Sequence, residues 1–297
     1  LSSLLDYRFL SGTLSDVDAL TAMLKRHFSN RENLIRYFDN KIVEQQDRFR
    51  RYGDSIFLLQ PQIKEGEGGL REYQTVFWLS KALEISQGRD STAEHLFTNE
   101  KKRMRVANAV RYIWKVRNAL HFVEGGKRDR LVDSIQKDVA EFLGYEDDLS
   151  MSAAERMMTE YYRSASEIHS AALSALEKIH QHIKPPGSFQ KLFFRRDLGG
   201  GLLLTPFKTI SVDKKASFDP CAMFYRVLRE VKKRGLPLSS ETIAFFEEAM
   251  ESLRCSAFDD RSNQILRELF SDFRHASSLL WIMQQSGFLS MCFPEMH

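Results

Sequence analysis

Ser15-Asp16-Val17-Asp18 is the first pattern along the chain whose residue types suggest chemistry. On a strand, residues two apart point the same way, so Asp16 and Asp18 would share a Mg²⁺ ion and serve phosphoryl chemistry. Such a site also needs an upstream Gly-Ser turn to hold phosphates, and here Ser11-Gly12 is reversed and too close. Ala19, Leu20, Met23 and Leu24 follow with helical spacing. On a helix two residues apart diverge by about 200°. The competing reading, and the expected one, makes Ser15 a helix N-cap with Asp16 and Asp18 complementing the helix dipole.

The second pattern is Pro61-Gln62-Ile63-Lys64-Glu65-Gly66-Glu67-Gly68-Gly69-Leu70-Arg71-Glu72. Three glycines release the backbone and expose N–H groups just ahead of a helix, where anions are attracted. Lys64 and Arg71 add positive charge; Glu65, Glu67 and Glu72 oppose it. The chemistry is then either phosphate binding or a tight loop in which Arg71 and the glutamates form structural ion pairs. The third candidate is Arg117, which shares a helical stripe with Val106, Val110, Ile113 and Leu120. A guanidinium keeps its proton, so if buried it needs a carboxylate or phosphate partner. The alternatives are an Arg reaching solvent or one paired with a core Glu. His121, a little further round the helix near Trp114, reads as a core or rim histidine.

Other chemistries are excluded by pattern. No Gly-x-Ser-x-Gly, Walker A or His-Glu-x-x-His motif occurs, the histidines form no His-Asp pair of the phosphohydrolase kind, and His180 and His182 diverge on a helix. Cys221, Cys255 and Cys292 lack the spacing of a disulfide framework or metal site, so a reducing cytoplasm is expected.

The elements that must position these residues are mostly helical. With 15 Gly and 7 Pro among 297 residues the chain is poor in breakers, and its 43% hydrophobic content suffices for a sizeable core. That length suggests about two domains. Leu34, Phe38, Ile42, Gln45 and Phe49 form one stripe on a helix from about Asn30 to Arg51. A second helix opens after Gly68-Gly69 with Leu70, Tyr73, Phe77 and Leu83, and a third spans about Asn99 to Phe122. The longest starts at a capping box, Ser152-x-x-Glu155, and carries Met158, Tyr161, Ala165, Ile168, Ala172, Ile179 and Ile183. Pro185-Pro186-Gly187 stops it and is the linker candidate. From Lys191 to Val212, Leu192-Phe193-Phe194 and Leu202-Leu203-Leu204 flank Gly199-Gly200-Gly201, which predicts two short strands around a glycine turn. Helices resume near Asp219-Pro220, Ser239-Ser240, Arg261 and His275, with Gly287 as a natural end for the last. The predicted class is all-α, a bundle of long helices with one small β-hairpin near residues 191–212.

The formal charge of +3 does not by itself call for nucleic acid, but ten basic residues lie between Lys101 and Arg130, opposed only by Glu124 and Asp129. That run either attracts phosphates or is a solvated helix face. No stretch is apolar for long enough to cross a membrane. Leu1 is not an initiator Met, and a fragment or processed chain is expected.

Tyr52-Gly53-Asp54, followed by Leu59-x-Pro61-x-Ile63-Lys64-Glu65-Gly66-x-Gly68-Gly69-Leu70-Arg71-Glu72-x-Gln74-Thr75-x-x-Trp78, resembles the central signature of the bacterial PII uridylyltransferase/uridylyl-removing enzymes. Collinear pieces support it. Ser3-Leu4-Leu5-Asp6-x-Arg8-x-Leu10-x-Gly12 is similar to the segment leaving those enzymes' nucleotidyltransferase core, and Lys41, Glu44-Gln45 and Arg48 match the next helix. Arg117-x-x-Leu120-His121 and Gly126-Lys127-Arg128-Asp129-Arg130-Leu131 are similar to an Arg-rich helix end. Tyr161-Tyr162-Arg163 resembles the start of the long helix; Gly287-x-Leu289 and Phe293-Pro294-Glu295 resemble the segment before the HD phosphohydrolase domain. Glutamine synthetase adenylyltransferase has a similar glycine stretch, but Gln74-Thr75 and Trp78 favour the uridylyltransferase. Glu72, Gln62 and Ser55 depart from the usual Asp, Asn and Thr.

The resemblance implies that residues 1–60 are the helical tail of a nucleotidyltransferase core, 61–184 a helical substrate-binding domain, and 189–297 a hairpin and helical linker leading to an HD domain. It implies an enzyme that moves UMP from UTP to a tyrosine of the PII signalling protein with Mg²⁺. The Gly-Ser…Asp-x-Asp and His-Asp motifs are expected to lie outside this chain, so the chain alone is expected to be inactive and to bind no metal or other cofactor itself. Nucleotide or substrate contacts fall on Lys64, Gly68, Gly69, Arg71, Arg117, Arg128 and Arg130, with no catalytic or metal-binding residue. The alternative is a non-catalytic helical module that docks PII or neighbouring domains. The Asp219-Pro220…Phe224…Leu228 segment is also similar to the helical body of tRNA nucleotidyltransferases. Without exposed aromatics among the basic residues, no nucleic-acid partner is expected.

Overall fold

Ser152-x-x-Glu155 closes as a capping box. The Ser152 N–H donates to Glu155 Oε2 at 2.8 Å, and the Glu155 N–H donates to Ser152 Oγ at 3.3 Å. The helix it starts, α7 (Ala153–Ile183), buries Met158, Tyr161, Ala165, Ile168, Ala172, Ile179 and Ile183 along one face, as their spacing predicts. The computed structural model describes residues 1–53, 56–88, 100–183, 196–205, 209–213, 218–252, 260–271 and 276–289. Pro185-Pro186-Gly187, Leu192-Phe193-Phe194, Cys255 and Cys292 lie outside them. The chain divides into two units, Leu1–Pro185 and Pro186–His297.

In the first unit, α1 (Ser2–Leu5), α2 (Leu14–Ser29) and α3 (Arg31–Tyr52) precede α4 (Leu70–Gln87), and α5 (Glu100–Val123), α6 (Asp133–Phe142) and α7 follow. The N-cap of α2 is Thr13, not Ser15; the Thr13 hydroxyl donates to Asp16 Oδ2 at 2.7 Å. Asn30 caps α3, its Oδ1 accepting from the Glu32 and Asn33 N–H groups. Helix α4 buries residues on every side, from Leu70 and Glu72 through Trp78, Leu79 and Ala82, because α2, α3 and α7 all pack against it. A helix with so little amphipathic contrast is a central strut. Helix α5 packs on α7 and α6 through Val106, Ala109, Ile113, Val116, Ala119 and Leu120. That buried stripe puts Arg117 at its edge.

In the second unit, β1 (Arg196–Gly199), β2 (Leu202–Leu204) and β3 (Ile210–Val212) form an antiparallel sheet in the order β1-β2-β3. The expected glycine turn is there: Gly199, Gly200 and Gly201 all have positive φ, at 86°, 58° and 82°. The hairpin gains a third strand because Ile210 and Val212 have a hydrophobic cluster to enter. The cluster is supplied by α8 (Pro220–Arg234), α9 (Ser240–Ser252), α10 (Asp260–Leu269) and α11 (Ala276–Gln285), with Phe224, Phe246 and Phe288 at its centre. Asp219 caps α8 through its Oδ2, which accepts from the Ala222 N–H at 2.7 Å. Eleven helices and this small sheet make a mostly helical protein among the described residues. None of these helices is long and apolar enough to cross a membrane.

Candidate functional site

Gln62 opens the glycine-rich loop by accepting, through its side-chain oxygen, from the N–H groups of Lys64 and Glu65, both at 2.9 Å. The chain then folds back on itself. Gly66 N–H donates to Gln62 O at 2.9 Å, Gly69 N–H to Gly66 O at 3.0 Å, Leu70 N–H to Ile63 O at 3.2 Å and Arg71 N–H to Lys64 O at 2.8 Å. The Gly68 N–H donates to Glu72 Oε2 at 2.8 Å. These are the donors that the sequence offers to an anion at the start of α4. They are used within the loop, so any anion here would meet side chains rather than a backbone cradle. Glycine is required for closeness as much as for shape. A Cβ on Gly68, at φ +71°, would lie 2.4 Å from Ala165 O on α7, and one on Gly69 would lie 2.8 Å from both Gly66 O and Ile63 O.

The Glu72 carboxylate is the buried hub behind the loop. Besides the Gly68 N–H, it accepts from Gln45 Nε2 of α3 at 3.1 Å and faces His169 Nδ1 of α7 at 3.0 Å. His169 Nε2 lies 3.5 Å from Glu67 Oε1. Burial alone would pull the imidazole pKa down. The charges of Glu72 and Glu67 and the Glu72 hydrogen bond outweigh it and push the value up to about 9. His169 is therefore an imidazolium hydrogen-bonded to Glu72 and ion-paired with Glu67. It escapes sequence reasoning because its partners are distant along the chain and it lies one residue off the apolar stripe; the usable signal is a histidine beside Ile168 in an otherwise aliphatic face.

A second clamp holds the loop from the other side. Asp129 Oδ1 accepts from Arg117 Nε at 2.6 Å and lies 2.9 Å from His121 Nε2. Burial favours the neutral acid, yet the hydrogen bonds from Arg117 and His121 hold the Asp129 carboxyl below its ordinary value. The Asp129 backbone oxygen accepts from the Ile63 N–H at 2.8 Å, and the Leu131 N–H donates to Pro61 O at 2.9 Å. Arg117 thus braces the strand-like contact that carries the loop, and its guanidinium also lies 5.3 Å from the Trp114 ring centroid. Arg128 is exposed and 3.7 Å from Glu124; Arg130 is exposed, and its backbone bridges to Gln62.

In front of the hub lies a rim of alternating charge. Lys64 Nζ and Arg71 Nη2 each lie 3.4 Å from Glu65 Oε1, and Arg48 Nε lies 3.6 Å from Glu65 Oε2. Arg48 also donates to Glu44 at 3.2 Å and to the Thr75 hydroxyl at 3.3 Å. Lys41 Nζ lies 2.5 Å from the other Glu44 oxygen. The structure therefore groups Lys64, Gly68 and Gly69 in one loop with Arg71 on the first turn of α4 beside it, ties Arg117 to the loop through Asp129, and leaves the Arg128 and Arg130 side chains on the surface.

The α5 run was expected to lack exposed aromatics, and the structure corrects this. Trp114 is 40% exposed, and Phe122 is 74% exposed and stacked on Phe142 with ring centroids 5.9 Å apart. Packing α5 by Val116 and Ala119 turns these rings outward. Asp16 and Asp18, both exposed on α2, do not fit a Mg²⁺ ion, and no three ligating side chains gather among the described residues.

Comparison with known proteins shows what the chain is similar to. Residues 36–175 match the family model described as GlnD PII-uridylyltransferase. A bifunctional uridylyltransferase/uridylyl-removing enzyme of Pseudomonas aeruginosa is 27% identical over 263 residues, 87% of this chain and 29% of that protein. The enzyme of the same description from Ruegeria pomeroyi is 25% identical over 298 residues, 99% of this chain and 32% of its own. That from Thiobacillus denitrificans is 33% identical over 160 residues, 54% of this chain and 19% of its own. The resemblance drawn from the glycine-rich signature therefore holds, while the chain spans about a third or less of the relatives' length. No solved structure matches.

Proposed function

We infer, from a resemblance that holds across residues 36–175, that this chain is the helical substrate-binding and linker part of a PII uridylyltransferase-like nucleotidyltransferase. In the whole enzyme, on this reading, UMP passes from UTP to a tyrosine of PII. Residues 1–60 continue a catalytic core, 61–184 face the substrates, and 189–297 lead towards a hydrolase domain in a cytoplasmic enzyme. The chain alone is inactive, since its own Asp16 and Asp18 do not make a metal site.

One observation carries the reading. The loop 61–69 is locked between the Glu72–His169 hub and the Arg117–Asp129 clamp, with the side chains of Lys64 and Arg71 partly exposed at its rim. Cations fixed on a rigid loop orient a triphosphate without paying further ordering entropy, which is the contribution a substrate-binding part makes to transfer. Arg117 acts by holding the loop; Arg128 and Arg130 add positive potential beside it. The test is calorimetric titration of UTP, with and without Mg²⁺, into wild type, Lys64→Ala and Arg71→Ala. Binding weakened in both variants supports the role; binding identical in all three removes it.

A second reading is a docking module for PII, and the α5 surface favours it. Arg111, Trp114, Lys115, Asn118 and Phe122 recur at helical spacing and are all exposed. Exposed aromatics flanked by cations are what protein interfaces use as anchors. A complex with PII that forms without UTP and weakens with salt supports it, and no complex at low salt counts against it.

A further inference from the structure

Lys41, Arg48, Lys64 and Arg71 are linked through only two carboxylates, Glu44 and Glu65, along the seam between α3 and α4. The charges alternate, and the series begins and ends on cations. The Lys41 and Arg48 side chains are only 12% and 10% exposed. Surplus positive charge in so dry a place is costly unless a counter-charge joins it. Glu72 and Glu67 nearby share the single His169 cation, so with all of these groups counted one positive charge remains in excess.

The same seam holds polar atoms that the protein leaves without hydrogen-bond partners. Two of them are donors: Trp78 Nε1, which is buried with no hydrogen-bond partner, and Arg48 Nε, which makes no hydrogen bond and has only its 3.6 Å contact with Glu65 Oε2. Buried donors without acceptors are rare, and each calls for an explanation. The Trp78 ring lies under two of the cations, with Lys41 Nζ 5.1 Å and the Arg71 guanidinium 5.5 Å from its centroid. That contact holds both long side chains in place.

We propose that the α3–α4 seam is an anion site in which Lys41, Arg48 and Arg71, with Trp78 Nε1 as an added donor, take a phosphate group. A phosphate supplies the missing negative charge and several acceptor oxygens at once, and guanidinium groups suit it geometrically. Naming a nucleotide as its source rests on the function proposed above; the anion site itself rests on the charge excess and the unpartnered donors. Lys41, Arg48 and Trp78 enter here for the first time as binding residues.

The test is calorimetric titration of the 297-residue chain with inorganic pyrophosphate at low ionic strength, followed in parallel by tryptophan fluorescence. Wild type binds and its fluorescence changes; Lys41→Gln and Arg48→Gln each weaken binding at least tenfold; Trp78→Phe binds more weakly and loses the fluorescence change. Lys137→Gln, at an exposed position on α6, behaves as wild type. Circular dichroism checks folding, and if Arg48→Gln does not fold, the more peripheral Lys41→Gln decides. A flat wild-type titration, or Lys41→Gln binding as tightly as wild type, overturns the site. UTP in a second arm separates the two readings. Pyrophosphate bound but UTP ignored keeps the site and removes the nucleotide; UTP bound equally by wild type and Lys41→Gln keeps the nucleotide and removes the site.

Discussion

His169 on α7 places its Nδ1 3.0 Å from Glu72 Oε1 on α4, and through this pair the long helix holds the glycine-rich loop, because the other Glu72 oxygen accepts the Gly68 N–H. The pair is charged only while His169 is protonated. Its pKa rises from 6.5 unfolded to about 9 folded. The stability it contributes is therefore complete below about pH 6.5 and is lost as the pH climbs through about 9. Tm should fall between pH 7 and 9.5, and the fall should be shallower in His169→Gln, which has no proton to lose. Equal slopes in both proteins would disprove the assignment.

Glu72→Gln leaves the His169 cation facing an amide and weakens the acceptor of the Gly68 N–H. Breaking a buried pair from one side typically costs about 3–5 kcal/mol. Urea unfolding should show a loss of that order. The double variant Glu72→Gln/His169→Gln should recover part of it, since two amides can hydrogen-bond without a stranded charge. A double variant worse than the sum of the singles would count against the pair.

Much of this was legible and some was not, for physical reasons. Helix α7 could be read because a capping box and an apolar stripe are local signals, and α3 for the same cause; α4, buried on every side, was marked by the glycines that precede it. The sheet was half legible: Gly199-Gly200-Gly201 marks a turn by backbone freedom, but β3 is recruited by burial of Ile210 and Val212, which has no local signature. The N-cap of α2 was misplaced by two residues because Thr13 and Ser15 are both good caps. The loop's glycines were visible, but the fate of their N–H groups was not: that depends on carbonyls brought back by the turn and on Glu72. Arg117 illustrates the general limit. Its stripe position demanded a partner, and the sequence could not say that the partner is Asp129 rather than a ligand.

Gly68 and Gly88 separate steric crowding from backbone strain. Both have positive φ, at 71° and 62°, but a Cβ on Gly88 meets nothing within 4 Å. Gly88→Ala should cost only the left-handed penalty, about 1–2 kcal/mol. Gly68→Ala must in addition push the loop away from Ala165 O and should cost clearly more. Chemical denaturation of the two variants side by side gives the comparison; similar losses would mean that the loop does not press on α7.

Asp129 bears on the loop through both its side chain and its backbone. Its carboxylate fixes the Arg117 fork and His121, while its carbonyl accepts the Ile63 N–H and its neighbour Leu131 donates to Pro61 O. Removing the carboxylate frees the segment to move without touching the loop's own sequence. In Asp129→Ala, hydrogen exchange at the Ile63 and Leu131 amides should accelerate, while amides in the middle of α7 should not. Arg117→Lys should reproduce the effect in weaker form, because an ammonium cannot make the two-pronged contact of a guanidinium. If Asp129→Ala leaves both amides as protected as in wild type, the loop is held by the Glu72 hub alone and Arg117 has no positioning role.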